Sequence, residues 1–293
     1  MKSAEVTSLI KKMEGGSTEP ILISTIDAQG IEGSYVLKLY KEDYELQAYT
    51  TFKEVVVNYL INEFDLRTPE IALVHISDSL ALANRSRFNQ FKNQTRKEFD
   101  FSKRKVAFEY LSAQSVGFND NFDLDITDYS TIYAFDFLIL NNDRGGLNKK
   151  SNLLIDENGF ILIDHEICFY FINSQNTDDY NQGHSVIFSE LDDSVDNTAL
   201  EMLKTSLLEK RTLYNYSTHI FHEKLRQLSA KQNLFDDFFY YLEELSVIRF
   251  EKFIKSLDKY DLQCPSGYLL VEYLRFIKDN MQNFKDSLYT SIK

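Results

Sequence analysis

The stretch from Tyr133 to His165 leaves this chain few folding choices. An apolar run, Tyr133 to Leu140, empties directly into Asn141-Asn142-Asp143-Arg144-Gly145-Gly146. Two short apolar segments follow, Asn152 to Asp156 and Phe160 to Asp164, separated by Glu157-Asn158-Gly159. Turn residues between two such runs predict a β-hairpin. Residues Asp128 to Leu140 have apolar side chains at helical spacing, which predicts an amphipathic helix. Helix, loop and hairpin therefore make one compact unit, with Asp143 in its loop and Asp164 at the end of its second strand. Asn148 lies in the same loop. Phosphoryl transfer needs little more: a carboxylate to orient the attacking hydroxyl, and an Asn and an Asp to hold magnesium on the phosphates. The spacing suits a kinase.

The front of the chain can supply the other parts. Gly15-Gly16-Ser17-Thr18-Glu19-Pro20 leads into a β-branched run, Ile21 to Ile26, which turns at Asp27-Ala28-Gln29-Gly30 and resumes from Tyr35 to Tyr40. The spacing predicts a hairpin with Lys38 in the middle of its second, apolar strand. A lysine buried there unpaired would be costly, whereas a phosphate and a carboxylate together offset that cost. Glu54 is the candidate carboxylate. It sits on the flank of a helix predicted from Tyr49 to Phe64 by the spacing of Phe52, Val55, Val56, Tyr59, Leu60 and Phe64. Gly16, Ser17 and Thr18 offer backbone N–H groups and hydroxyls to nucleotide phosphates. Each residue also has a plainer reading: a turn cap for Asp143, an edge-strand lysine for Lys38, a solvated helix position for Glu54, and ordinary loop polarity for Ser17 and Thr18.

Further along, Ile71 to Ile76 reads as a buried strand, Asp78 to Lys105 as a solvated insertion, and Asn173 to Asp196 as a long irregular loop. From Ala199 the pattern is helical almost to the end, broken around Gln263 to Gly267. His219 and His222, three apart on a helix, read as a surface pair, and none of the histidines has metal-ligand spacing. Of 293 residues, 32 are Lys or Arg and 45 are Asp or Glu, a net charge of −13. That argues against broad, charge-driven binding to nucleic acid. Cys168 and Cys264 form no CxxC pair, so neither a disulfide framework nor a zinc site is expected, and a reducing compartment is the default. With no apolar run of bilayer length and no apolar stretch at the start, the expectation is a soluble, cytoplasmic protein without a membrane partner.

The run Phe135 to Arg144, with Asn152-Leu153-Leu154 and Leu162-Ile163-Asp164-His165, resembles the catalytic segment of the HipA-like kinases. The front is similar too: Gly16 to Pro20 resembles the family's phosphate loop, Tyr35 to Lys38 its nucleotide-lysine strand, and Glu54 to Pro69 its Glu-bearing helix. The resemblance implies an α+β, two-lobed, protein-kinase-like fold. Residues 1–110 would form a mainly β N-terminal lobe that binds nucleotide phosphates, and 111–293 a mainly helical C-terminal lobe with catalytic loop and metal site. ATP would lie between them. Asp143 would be the catalytic aspartate, Asp164 the main magnesium ligand, Lys38 the contact to the α and β phosphates, and Glu54 its orienting partner. For the second metal ligand, Asn148 has the family's five-residue offset from Asp143, and Asn152 its Asn-Leu-Leu context. Glu166 departs from the family, where glycine is frequent. The implied substrate is a Ser or Thr hydroxyl of a protein, with a cognate antitoxin-like protein as restraint. The alternative is a pseudokinase, a nucleotide-binding module without turnover.

Overall fold

The computed structural model describes residues 1–13, 20–40, 49–84, 104–117, 126–145, 151–172, 199–212 and 215–293. Its front is β-rich. Strands β1 (Lys2–Lys12), β2 (Ile21–Asp27), β3 (Glu32–Leu37), β4 (Ile71–His75) and β5 (Lys105–Glu109) close into a barrel in the order β1-β2-β3-β5-β4. All contacts are antiparallel except the closing one, where β1 runs parallel to β4 with Lys2 opposite Ala72.

Strand side chains alternate between faces. Val6, Ile21, Ile23, Leu37, Ala72, Val74 and Ala107 pack together inside the barrel. Ile71, Leu73, Val106 and Phe108 point the other way, into the larger core that includes helix α1 (Thr50–Glu63). Strands β4 and β5 are thus covered on both sides, which their unbroken apolar runs require.

Three expectations need correction here. Lys2–Lys12 is a strand that the sequence reading left unassigned; irregularities between Val6 and Ser8 and between Leu9 and Lys11 break its alternation. Lys38 is not mid-strand: β3 ends at Leu37, whose pairings with Ile21 and Ala107 are the last of that strand, so the lysine emerges at the barrel rim. The stretch from Asp78 is not uniformly a solvated insertion, since it opens with helix α2 (Asp78–Ala83), capped by the Ser77 hydroxyl accepting from Leu80 N–H at 3.3 Å, and Lys105 begins β5.

Helix α3 (Ile126–Leu138) begins the rear part. Its sequence predicts an amphipathic helix, yet every residue from Tyr129 to Leu140 is buried, Ser130, Thr131 and Asp136 included. It is a central helix enclosed on all sides. On one side the Phe135 ring lies 5.3 Å from that of Phe64, just after α1, and Phe64 stacks on Phe238 at 5.1 Å. At its C-terminus the Tyr273 hydroxyl donates to Leu138 O at 2.8 Å, satisfying a carbonyl that the helix cannot.

The predicted hairpin forms from β7 (Leu153–Asp156) and β8 (Gly159–Leu162), with the short β6 (Gln114–Ser115) alongside. Gly159 takes φ +110°, a conformation that favours glycine, to close the turn. Arg67 pins this hairpin to the loop after α1. It donates to both Asp156 carboxylate oxygens, at 2.6 and 2.7 Å, while its own carbonyl accepts from Leu162 N–H at 2.8 Å.

The remaining α-helices among the described residues are α4 (Ala199–Leu208), α5 (His222–Arg226), α6 (Asp236–Glu244), α7 (Val247–Ser256), α8 (Tyr268–Asp279) and α9 (Met281–Ser291). They are shorter and more often interrupted than the apolar pattern predicts. Helix α1 is tied to this bundle: Tyr59 stacks on Phe253 at 4.1 Å, and Gly267 sits so close to Phe52 that a Cβ there would stand 3.0 Å from its ring. Among the described residues no helix is long and apolar enough to cross a membrane. The chain is therefore a mixed α/β protein with a β-barrel front and a helical rear.

Candidate active site

Lys38 leaves the barrel rim beside α1. Its ammonium lies 3.1 Å from Glu54 Oε1 and 2.8 Å from Asp164 Oδ1, with the Phe108 ring 4.9 Å below. Burial by itself would lower the lysine's pKa, but Asp164 and Glu54 together hold it above its ordinary value. Glu54 is 1% exposed, so the solvated-helix reading of this residue is overturned. Burial would raise its carboxyl pKa, yet Lys38, His165 and Tyr40 hold it well below the carboxylate range. The Tyr40 hydroxyl donates to Glu54 Oε1 at 2.9 Å.

The Asp143 loop is built on a second ion pair. Arg144 is fully buried and meets the carboxylate of Asp136, from α3, through Nε at 2.6 Å and Nη2 at 3.0 Å. Asn141 Nδ2 and His219 Nε2 complete the set at 2.8 and 3.0 Å. Because Phe221 N–H donates to His219 Nδ1 at 3.1 Å, the other ring nitrogen carries the proton given to Asp136. His219 is thus a buried structural donor rather than half of a surface pair, with burial lowering its pKa. A buried pair with every oxygen occupied is the kind that tolerates the loss of water.

Arg144 also reaches the site. Its Nη1 donates to Asn152 O, and Asn152 Nδ2 donates to Asp143 Oδ2 at 3.0 Å. Asn152 and Asp164 both take left-handed backbone angles, φ 49° and 64°, in which Asn and Asp are the better-tolerated non-glycine residues. The Asn152 carbonyl accepts from Ile163 N–H, which places both residues at the open end of the hairpin.

The structure thus brings Lys38, Glu54 and Asp164 into contact, and Asp143 into contact with Asn152. Gly16, Ser17, Thr18 and Asn148 lie outside the described residues. The donors at hand for a cation are the Asp164 carboxylate and the amide oxygen of Asn152, whose nitrogen is turned to Asp143. Such hard oxygen donors fit magnesium. Among the described residues, no three His, Cys, Asp or Glu side chains gather as a metal cluster.

Several residues were missed in the sequence. Tyr40 was legible, because alternation puts it on the face of Lys38 two positions earlier. Asp136 was visible as a charge inside an apolar run, which demands a partner. Two of its partners, Asn141 and Arg144, follow within eight residues, but the third, His219, arrives from a distant segment that no local signal could identify.

A protein-family model described as HipA-like kinase matches residues 6–214, from the first barrel strand past the hairpin. No curated protein and no solved structure matches.

Proposed function

The chain belongs to the HipA-like kinase family, and from that premise we propose that it transfers the γ-phosphoryl of ATP to a Ser or Thr hydroxyl of a protein, with magnesium as cofactor. One observation carries the reading: a single ammonium, Lys38, bridges a helix carboxylate, Glu54, and the aspartate ending the hairpin, Asp164. A purely structural lysine needs one partner. One held between two carboxylates at a rim is preorganised for a polyanion, which can take over part of its charge.

In this reading the barrel region, 1–110, acts as the nucleotide lobe of a two-lobed kinase, and 111–293 as the catalytic lobe. Lys38 binds the α and β phosphates, and Glu54 fixes its direction. Asp143, oriented by Asn152, accepts the proton of the incoming hydroxyl. Asp164 and Asn152 are the residues proposed to hold magnesium, with Asn148 the other candidate. Bound there, magnesium supplies neutralisation of the charge on the phosphates. Gly16, Ser17 and Thr18 are proposed to cover those phosphates.

The test is radiolabel transfer from ATP by the parent and by Asp143→Asn and Asp164→Asn, with folding checked by circular dichroism. Transfer is expected to fall by orders of magnitude in both variants while the fold persists. ATP consumption at the parent rate in both overturns the assignment. Glu166 favours a second reading, a pseudokinase: its charge stands near Lys38 and Tyr40 and makes the site more negative. Magnesium-ATP would then raise the unfolding temperature without any transfer. A restraining antitoxin-like protein is part of the family-based proposal and is tested by co-purification with the chain's operon neighbours.

A further inference from the structure

The arginine next to Asp143 and the carboxylate that holds Lys38 lie on opposite sides of one imidazole. Arg144 Nη2 is 3.3 Å from His165 Nε2, and His165 Nδ1 is 3.4 Å from Glu54 Oε2. All three residues are at most 2% exposed. A guanidinium can only donate, so Nε2 carries the ring's lone pair and Nδ1 its proton, facing Glu54. Glu54 Oε1 already accepts from Lys38 and Tyr40, whereas no described hydrogen bond reaches Oε2. His165 is the group in front of that oxygen.

We propose that His165 is a positioning residue that couples the Lys38–Glu54 pair to the Asp143 loop. The proposal rests on the kinase reading above. Glu54 comes from α1 and Arg144 from the loop after α3. Each is anchored elsewhere, Glu54 through Lys38 and Arg144 through Asp136 and the Asn152 carbonyl. The imidazole joins the two anchored units, with one nitrogen accepting from the loop and the other donating to the helix. A shift of α1 is therefore felt at Arg144, and through Asn152 at Asp143. Sequence position reinforces this, because His165 follows Asp164 directly and moves with it.

An apolar side chain of similar size would fill the volume but leave a buried guanidinium N–H and a buried carboxylate oxygen facing nothing polar. That separates packing from coupling experimentally. His165→Leu keeps the bulk and loses both polar contacts, whereas the amide of His165→Gln offers one donor and one acceptor. For the Leu variant, kcat/KM for ATP is expected to fall about 10- to 100-fold, in both kcat and KM, with the Gln variant recovering most of it. Independently of nucleotide, chemical unfolding of His165→Leu, Glu54→Gln and the double variant is expected to be non-additive. Should His165→Leu fail to fold, His165→Asn, whose shorter amide does not span both partners, takes its place.

A Leu variant with parental kcat and KM, a Gln variant as impaired as Leu, or an additive unfolding cycle overturns the coupling. A parent protein that neither binds nor turns over ATP defeats the kinase reading, and the unfolding cycle then still decides whether the bridge exists.

Discussion

Two ion pairs lie on either side of His165 and differ in one respect. Arg144–Asp136 is sealed, with both side chains fully buried and the Asp136 oxygens shared among Arg144, Asn141 and His219. Lys38–Glu54 is ajar: the lysine side chain keeps 12% of its exposure and also holds Asp164, which keeps 29%. The sealed pair has no capacity for a further ligand, so its work is to fix a loop. The open one includes an aspartate that a cation can recruit and an ammonium that a phosphate can share. On the proposed function, the same chemistry serves architecture where it is saturated and ligand binding where it is left open to water.

The sharpest attack on this contrast is Arg144→Met. It leaves Asp136 charged and buried without its main partner, and is expected to lower stability by about 3–5 kcal/mol in denaturant unfolding. A loss under about 1 kcal/mol would mean that the sealed pair is not structural. Lys38→Met should do the reverse. ATP turnover falls on the order of 10²–10³-fold, about 3–4 kcal/mol in the barrier. Its unfolding midpoint moves less than that of Arg144→Met, because Tyr40 and His165 still face Glu54. Steady-state kinetics beside urea melts decide this.

Lys53 supplies a third case, a buried cation with no ion pair among the described residues. It is fully buried, and no described hydrogen bond reaches its Nζ; Cys168, Glu166, Glu54 and Cys264 are the titratable groups around it. Burial lowers its pKa from 10.5 to about 8. Below pH 8 the amine is protonated in folded and unfolded chains alike, and the full burial penalty is present. Between about 8 and 10.5 the folded chain releases the proton that the unfolded chain keeps, so this residue makes stability rise with pH across that window. Lys53→Met is expected to add about 2–3 kcal/mol at pH 7 and to flatten that rise. Urea melts at pH 7, 9 and 10.5 read both effects.

The smallest effect concerns an exposed pair. Arg67 holds Asp156 down to about pKa 2, from 3.8. A depressed carboxylate stabilises the fold above 3.8 and stops doing so as pH falls through 2. Arg67→Ala is expected to lower stability modestly at pH 7, where the pair contributes, and to leave it unchanged below pH 2, so that stability falls less steeply on acidification. Acid unfolding followed by circular dichroism shows it, and an unchanged acid limb would mean the hairpin staple is decorative.

What could be read from the chain alone follows from distance along it. The β7–β8 hairpin, α1 and the pairing of Lys38 with Glu54 rest on local spacing or on a cost argument about one charge, and the structure bears them out. The β1 strand was hidden by its bulges. Helix α3 is not the amphipathic element its pattern predicts, because its polar residues Ser130, Thr131 and Asp136 are buried along with the apolar ones. His219 reads as a surface residue for a related reason: a histidine's meaning lies in what faces its two nitrogens, and one of its partners, Asp136, comes from a distant element. The roles of Gly16, Ser17, Thr18 and Asn148 stay with the proposal.

The parallel seam between β1 and β4 has a consequence for biosynthesis. Strand β1 can hairpin with β2 as soon as both have been made, but its other edge waits until residues Ile71–His75 follow, and the ring itself until Glu109. For that interval a nascent chain displays an unpaired edge, the feature most prone to stick to other chains. Production of this protein should therefore respond to slower translation or added chaperone more than its finished stability suggests.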